Sequence, residues 1–216
     1  MRKNIAIFLS FLFISVTSAK AEKMIGITGA LHMFDVSGTE TTRSSGERNT
    51  GSESENAVVP EFFIEKEADG VALGLSYVPT KNMGSKSRTD TNSEGSSGTY
   101  RAEAELSDVI QLYVDYTVSQ YAGADIYLKG GLQFATIETL ESLNSGSTYP
   151  NEDVYGFTLG IGAKGALPYG NNLFYKADIT YTEFTDYEND DEAGTGNKVE
   201  ADLNDTAVKF SVGYKF

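Results

Sequence analysis

From residue 22 onward, apolar and polar residues alternate along most of the chain. Alternation with a period of two is typical of β-strands that bury or expose one apolar face. The first such segment carries its apolar residues at Ile25, Ile27, Leu31 and Met33, with Gly26, Thr28, Ala30 and His32 on the other face. Seven further segments repeat the pattern, beginning near Val58, Val71, Ile110, Ile126, Tyr155, Leu173 and Val208. The pattern predicts an all-β protein of eight strands.

The connections between these strands alternate in length. Tight turns are predicted at 67–70, 119–123 and 168–172, and long polar connections at 37–56, 81–99, 142–152 and 186–202. Counted from the N-terminus, every long connection falls at one end of the strand set. Every tight turn falls at the other end, together with both termini. This layout is typical of an antiparallel up-and-down barrel with long polar loops at one end.

Alternation by itself does not say which face points into the barrel. A soluble lipocalin-like barrel would turn its apolar face inward, around a lipophilic ligand. Here the polar face is rich in Gly and Ala, and aromatic residues recur near the ends of the apolar stretches, as in a membrane barrel with aromatic girdles. The polar face also carries charges of both signs, which we expect to form a network in the lumen: Asp115, Lys129, Lys164, Lys176, Asp178 and Lys209, with Glu61 and Glu65 as further partners.

The N-terminus has the three regions of a secretory signal peptide. Arg2 and Lys3 precede an apolar run from Ile5 to Val16, and Ala19-Lys20-Ala21 forms an Ala-x-Ala cleavage site. The sequence therefore predicts a signal peptide over residues 1–21 and a barrel over residues 22–216. Cleavage would change the net charge from −14 to −17, because it removes three basic residues and no acidic one.

The last strand carries apolar residues at every second position and ends on an aromatic residue: Val208, Phe210, Val212, Tyr214 and Phe216. In this strand the chain resembles the bacterial outer-membrane β-barrel family, and in particular its eight-stranded OmpA-type and OmpX-type members. The resemblance implies that these five residues are a signal read by the barrel-assembly machinery, after escort by periplasmic chaperones. It further implies a monomer in the outer membrane, in contact with lipids including lipopolysaccharide, and we expect no peptidoglycan-binding domain after the barrel.

Composition excludes several kinds of chemistry. The chain has no Cys, so disulfides, thiolate metal sites and Cys nucleophiles are excluded. The acidic balance argues against a nucleic-acid partner, which requires clustered Lys and Arg. The stretch Gly160–Gly165 reads G-x-G-x-x-G, but a turn and a strand follow it instead of the helix that a dinucleotide site needs. We therefore predict no cofactor and no defined metal site, although the acidic segment 186–202 leaves cation binding open.

His32 is the only histidine, and it projects to the polar face of the first strand. A histidine can serve as a general base, but no nucleophile motif accompanies it, so we predict no enzyme. The leading functional prediction is a structural or surface-display protein of the outer membrane. The alternative is a narrow porin-like channel for small solutes, and the third is a lipid-modifying barrel enzyme that uses His32.

Overall fold

The computed structural model describes residues 21–43, 46, 48–91, 97–142, 149–168, 170, 172–190, 194 and 196–216. Its strands are β1 (Glu22–Thr41), β2 (Arg48–Ala68), β3 (Val71–Val78), β4 (Lys81–Thr91), β5 (Ser97–Tyr121), β6 (Ala124–Ser142), β7 (Glu152–Ala166), β8 (Leu173–Phe184), β9 (Tyr187–Asp190) and β10 (Lys198–Lys215). Within these ranges, no helix has the length and apolar character needed to cross a membrane. The predicted signal peptide, apart from Ala21, lies outside the described residues, so its cleavage stays a prediction.

The strands close into a barrel because β1 pairs with β2 on one side and with β10 on the other. Around the wall the order is β1, β2, β3, β5, β6, β7, β8 and β10, and all neighbours are antiparallel. Beyond the end of β3, β4 continues along β5, and beyond the end of β8, β9 continues along β10. The wall is thus a ring of eight strands, which confirms the predicted eight-stranded antiparallel barrel.

Short turns join strands at the end of the barrel that also holds Glu22 and Phe216. Asp69 and Gly70 have φ values of 51° and 77°, and Ala122 and Gly123 have φ values of 50° and 84°. Positive φ at both central residues defines the type I′ hairpin turn, whose twist matches that of the flanking strands. The third connection, from the end of β7 at Ala166 to the start of β8 at Leu173, is longer. All three turns lie at the predicted positions.

Outward-facing apolar residues form a continuous belt around the barrel. Ile25, Leu128 and Phe210 leave 52 %, 50 % and 57 % of their surface exposed. A soluble monomer rarely exposes a contiguous apolar patch of more than a few hundred Å², whereas a membrane barrel presents such a band to lipid. Other members of the belt are Ile27, Phe62, Ile64, Val71, Val114, Leu132, Phe157, Leu159, Ile161, Ile179, Val208, Val212 and Tyr214.

The long polar segments are not the loops that the sequence predicts. β1 and β2 pair without interruption up to Thr41 and Arg48, and β4 pairs with β5 up to Thr91 and Ser97, so most of 37–56 and 81–99 is strand. Likewise, β9 and the first part of β10 occupy most of 186–202. The reason is that a ladder uses the backbone N–H and C=O groups that every non-Pro residue carries. Once two strands are in register at the membrane, pairing continues into a polar hairpin.

These hairpins extend the barrel wall beyond the apolar belt. β1 has 20 residues, which at about 3.4 Å per residue is roughly 65 Å of strand. The hydrocarbon core is only about 30 Å thick. Even at a tilt of about 45°, a substantial part of β1 lies outside the bilayer. The connection 142–152 differs from the others, because β6 ends at Ser142 and β7 begins at Glu152, and residues 143–148 lie outside the described ranges.

Candidate functional site: the barrel interior

Glycines on the inward face make room for aromatic rings. Each of four such rings lies directly opposite a glycine on the next strand, in the pairs Gly26–Phe63, Gly74–Tyr113, Gly162–Tyr127 and Gly213–Phe174. A Cβ atom added to any of these glycines would overlap the ring opposite. The small residues of the polar face therefore do not line an open channel. They are the spaces into which large side chains fold.

Four of the six predicted lumen charges form one ionic cluster in the middle of the barrel. Lys176 contacts Glu65 and lies 2.6 Å from Asp115 Oδ2. Lys129 lies 3.3 Å from Asp115 Oδ1 and 3.5 Å from Asp178 Oδ1. All five side chains are buried. We call Glu65, Asp115, Lys129, Lys176 and Asp178 the ionic cluster.

Two of the inward aromatic residues bind this cluster through their hydroxyl groups. Tyr113 donates a hydrogen bond of 2.6 Å to Glu65, and Tyr127 donates one of 2.5 Å to Asp178. The Lys129 ammonium lies 3.8 Å from the centre of the Tyr113 ring, which is cation–π distance. Each buried charge thus has a partner of opposite sign, and Glu65, Lys129 and Asp178 also have a tyrosine as a neighbour. Such partners offset the desolvation cost of burying charges.

The remaining two predicted lumen charges lie elsewhere. Lys164 contacts Glu67 close to the short-turn end of the barrel. Lys209 lies 2.9 Å from Glu61 Oε1, and this pair belongs to a second group centred on His32. All six predicted residues are therefore buried in the interior, but they are distributed over three groups of contacts.

His32 is 1 % exposed and lies between two carboxylates. Its Nδ1 is 2.7 Å from Asp205 Oδ2, and its Nε2 is 3.0 Å from Glu61 Oε1. Lys81 Nζ approaches the same Nδ1 at 3.2 Å and Asp205 Oδ2 at 3.8 Å. Sequence reasoning found no partner for His32, because Glu61, Lys81 and Asp205 lie on three other strands. We call these residues, with Lys209, the His32 cluster.

Neutral polar side chains form a further group at the height of these clusters. Gln111 and Gln133 donate hydrogen bonds of 3.0 and 3.2 Å to Thr158, and Gln133 donates a second bond of 3.0 Å to Thr182. Thr158 and Thr182 are themselves 2.8 Å apart. Across the barrel, Thr28 and Ser211 share a hydrogen bond of 2.7 Å. The polar interior is thus mostly satisfied by its own side chains.

An apolar layer covers the polar interior on the side of the long hairpins. Each of the eight strands of the wall contributes at least one residue to this layer, if β4 is counted as the extension of β3 and β9 as the extension of β8. Its members include Phe34, Val59, Val78, Met83, Leu106, Val109, Ile137, Val154, Phe184 and Leu203. We call this set the apolar layer. Sequence reasoning missed it, although the inward positions do change from polar to apolar within each strand, as from His32 to Phe34.

A cavity of about 20 Å³ lies between the ionic cluster and the His32 cluster, lined among others by Glu61, Lys129, Lys176 and Lys209. That volume holds about one water molecule. At the short-turn end, Met24, Phe63 and Phe174 pack together and narrow the barrel further. This arrangement is more typical of a packed core than of a water-filled channel.

The five residues of the predicted assembly signal all lie on or just after β10. Val208, Phe210, Val212, Tyr214 and Phe216 point outward into the belt, with exposures between 39 % and 67 %. The strand that carries them closes the barrel against β1. Their recognition by the assembly machinery stays a prediction.

The described residues contain no group of three or more His, Asp or Glu placed to hold a metal ion. In the acidic segment 186–202, Lys198 contacts Glu188 and lies 3.4 Å from Glu200 Oε1. The hydrogen bond with Glu188 raises the pKa of Lys198, whose side chain is partly exposed. Some of the acidic charge in this segment is thus neutralised by a cation of the chain itself.

Comparison with known proteins gives the family. A family model described as the outer membrane protein beta-barrel domain matches residues 5–216, whereas no curated protein matches the chain. Among solved structures, Neisserial surface protein A is 10 % identical over 87 % of this chain and 97 % of its own, with a TM-score of 0.45. The outer membrane protease OmpT from Escherichia coli is 11 % identical over 93 % and 98 %, with a TM-score of 0.48. The N-terminal barrel domain of Pseudomonas aeruginosa OprF is 14 % identical over 87 % and 99 %, with a TM-score of 0.42. Because the family model spans nearly all of its residues, the chain belongs to the outer membrane protein β-barrel domain family.

Proposed function

We propose that this protein is a monomeric, non-catalytic barrel of the bacterial outer membrane that displays polar β-hairpins at the cell surface. The observation that carries the proposal is the filled interior. The ionic cluster, the His32 cluster and the apolar layer occupy the barrel from the short-turn end to the outer edge of the belt. A barrel filled in this way holds its wall in a fixed shape and leaves the long hairpins as its accessible part.

The displayed surface is polar and extends well past the belt. A cleft of about 910 Å³ opens there between the β1–β2 hairpin and the β9–β10 pair. Its lining includes Ser37, Arg48, Ser52, Asp186 and Glu200. Such a surface is suited to contacts with polar molecules outside the cell, since a strand ladder holds its side chains in place.

Measurement of ion conductance distinguishes the display role from that of a narrow channel. We expect purified protein in planar lipid bilayers to give no stable current steps, because the ion pairs and the apolar layer fill the interior over the part of the chain that the structure describes. Reproducible steps from the wild-type protein would overturn the proposal in favour of a channel for small solutes.

Thiol labelling from outside the cell tests whether the long hairpins are displayed at the surface. The chain has no Cys, so each introduced thiol is the only one. We expect a membrane-impermeant maleimide to label Ser52→Cys, in the exposed part of β2, on intact cells. The matched variant Ala166→Cys, exposed at the short-turn end, should react only after the outer membrane is permeabilised. Labelling in the opposite order would show that the hairpins face the periplasm.

The enzyme alternative has weaker support. His32 is buried beneath Phe34, whose ring is parallel to the imidazole at 5.6 Å. Both ring nitrogens already face side chains of the His32 cluster. A general base must reach its substrate, directly or through one water. The apolar layer lies between His32 and the outer surface.

The assembly signal is part of the same proposal. Phe216 is 67 % exposed, so its ring contributes little packing, while its backbone pairs with Lys23. We expect Phe216→Ser to lower the amount of folded protein in cells and to leave refolding of the purified chain in detergent unchanged. Phe157→Ser, at a similarly exposed belt position, is the matched control. Equal losses for both variants would mean that the terminal residue carries no specific signal.

A further inference from the structure

The ladder of the barrel wall is interrupted on one side of β2. Pairing between β2 and β3 ends at Phe62 and Tyr77, and within the described residues no ladder joins β2 to β4. Two positions further on in the same register, Pro60 faces Pro79. Neither proline has an N–H to donate, so the ladder cannot continue past them. We call this break between β2 and β4 the seam.

The open edge of β2 faces the seam. Pro60 lies opposite Gly29, and the ladder between β2 and β1 continues without interruption on that side. A proline is tolerated in a strand where its nitrogen points to an unpaired edge, so the nitrogen of Pro60 points toward the seam. Val58, the next outward residue, leaves 81 % of its surface exposed, against 50 % for Phe62, which has a partner on β3. This difference is expected for a strand that lacks a neighbour on one side.

The wall is also irregular at the start of β4. Along β5, β4 resumes the line of β3, but Pro79 and Thr80 between them form no ladder pair with that strand. Opposite them, Asp108 has a φ of 53°, and the register of β5 with β6 shifts at this point. Hinges in proteins are short segments of this kind, which absorb changes in φ and ψ. We call β4 together with residues 97–107 of β5 the flap.

One buried side chain crosses from the flap into the body of the barrel. Lys81, the first residue of β4, is 4 % exposed. Its Nζ lies 3.2 Å from His32 Nδ1 and 3.8 Å from Asp205 Oδ2. The same ammonium group lies 4.6 Å from the centre of the Phe34 ring, at cation–π distance. Because these partners belong to β1 and β10, the contacts connect the flap with strands on the other side of the seam.

We propose that the flap is a hinged part of the wall, which the Lys81 side chain holds closed against β2. The apolar layer borders the seam through Val59 on β2 and Met83 on β4, both buried. When the flap moves outward, these two side chains separate, and water reaches the apolar layer through the side of the wall. The inference requires a folded barrel and does not depend on surface display.

Thiol reactivity of the purified barrel tests the flap. The chain has no Cys, so Met83→Cys introduces a single thiol beside the seam, and Leu203→Cys introduces one in the apolar layer on β10. Met83 and Leu203 are buried to a similar extent. We expect a water-soluble maleimide to react roughly tenfold faster with Met83→Cys when Lys81→Ala is added, because local opening governs access to a buried group. Leu203→Cys should react equally slowly with and without Lys81→Ala.

Two further variants separate flap motion from a general loosening of the barrel. Lys198→Ala removes a partly exposed lysine and should not change the reaction rate of Met83→Cys. Pro60→Thr/Pro79→Thr supplies an N–H on each side of the seam, so the ladder can extend, and Met83→Cys should then react more slowly than with both prolines in place.

Heat-modifiable migration on a gel verifies that each variant is folded, and the double threonine variant carries the test if Lys81→Ala fails to fold. Equal acceleration at Met83→Cys and Leu203→Cys, or no acceleration at either, would overturn the proposal. An unchanged rate in the double threonine variant would overturn it as well.

Discussion

Replacing Lys176 by Met removes one charge from the ionic cluster with little change in side-chain volume. Lys176 is 2 % exposed, contacts Glu65, and lies 2.6 Å from Asp115. Removal of one partner from a buried ion pair leaves an uncompensated charge and costs about 3–5 kcal/mol. Asp115 keeps Lys129 at 3.3 Å, and Glu65 keeps the hydroxyl of Tyr113.

Because this partial compensation remains, we take about 4 kcal/mol as the expected loss in the free energy of unfolding. With a slope of about 2 kcal/mol per molar urea, the midpoint of unfolding should fall by about 2 M. The assay is reversible urea unfolding of the purified barrel in lipid vesicles or detergent, followed by gel migration and tyrosine fluorescence. Both readouts should give the same midpoint.

Two further variants distinguish the loss of an ion pair from a general disturbance. Lys176→Met/Glu65→Gln removes both charges of the pair and should recover part of the loss, since Gln still accepts the hydrogen bond from Tyr113. Lys198→Met, which alters an exposed pair, should leave the midpoint within error. A fall of less than about 0.5 M for Lys176→Met would correspond to about 1 kcal/mol, the size of a surface pair, and would refute the buried cluster.

Three other predictions concern the glycines and His32. Gly74→Ala places a Cβ against the Tyr113 ring and should cost about 1–3 kcal/mol by overpacking, whereas Gly130→Ala, with nothing within 4 Å, should change the urea midpoint little. In Gly123→Ala the added Cβ also contacts no neighbour, but the φ of 84° is unfavourable for residues with a Cβ. We therefore expect a loss of roughly 1–2 kcal/mol in the free energy of unfolding in the same assay, and this loss would come from backbone strain alone. His32→Ala should destabilise the barrel by about 2–4 kcal/mol, because Asp205 and Glu61 both lose the imidazole as a hydrogen-bond partner, and should leave the lipid composition of the membrane unchanged. A changed composition would instead point to catalysis at His32.

The wall of the barrel was predictable because strand geometry leaves little freedom. Neighbouring residues such as Tyr127 and Leu128 must point to opposite faces, so the alternation by itself separates the interior from the belt. Polar hairpins offer no such signal. Residues 37–56 contain no apolar side chain that would mark a face, and their pairing depends on backbone groups and on a register set at the membrane.

The inward charges were predictable, but their partners were not. Asp115 and Lys129 are directly opposite on β5 and β6, and their pairing follows from the register once it is known. Lys176 and Glu65 are 111 positions apart and meet across the barrel, so their contact depends on the stagger of all eight strands. The apolar layer did leave a signal in the sequence. The inward positions change from Asp205 to Leu203 within one strand, as they do elsewhere in the wall.

Inside the barrel, the charged clusters lie at the depth of the belt and the apolar layer lies above them, toward the long hairpins. This order follows from where water can reach the interior. At the depth of the belt, lipid surrounds the wall, so buried charges there must find partners within the barrel. At the outer edge the wall emerges into water, and water entering from that side would weaken the same ion pairs through a higher local dielectric constant. The apolar layer stands at this boundary and excludes water from the clusters beneath it.

A charged interior also keeps each strand half polar, so that no segment from residue 22 onward has the long apolar run of a membrane-spanning helix. The same alternation thus places an apolar surface toward lipid and a charged, paired core inside one wall.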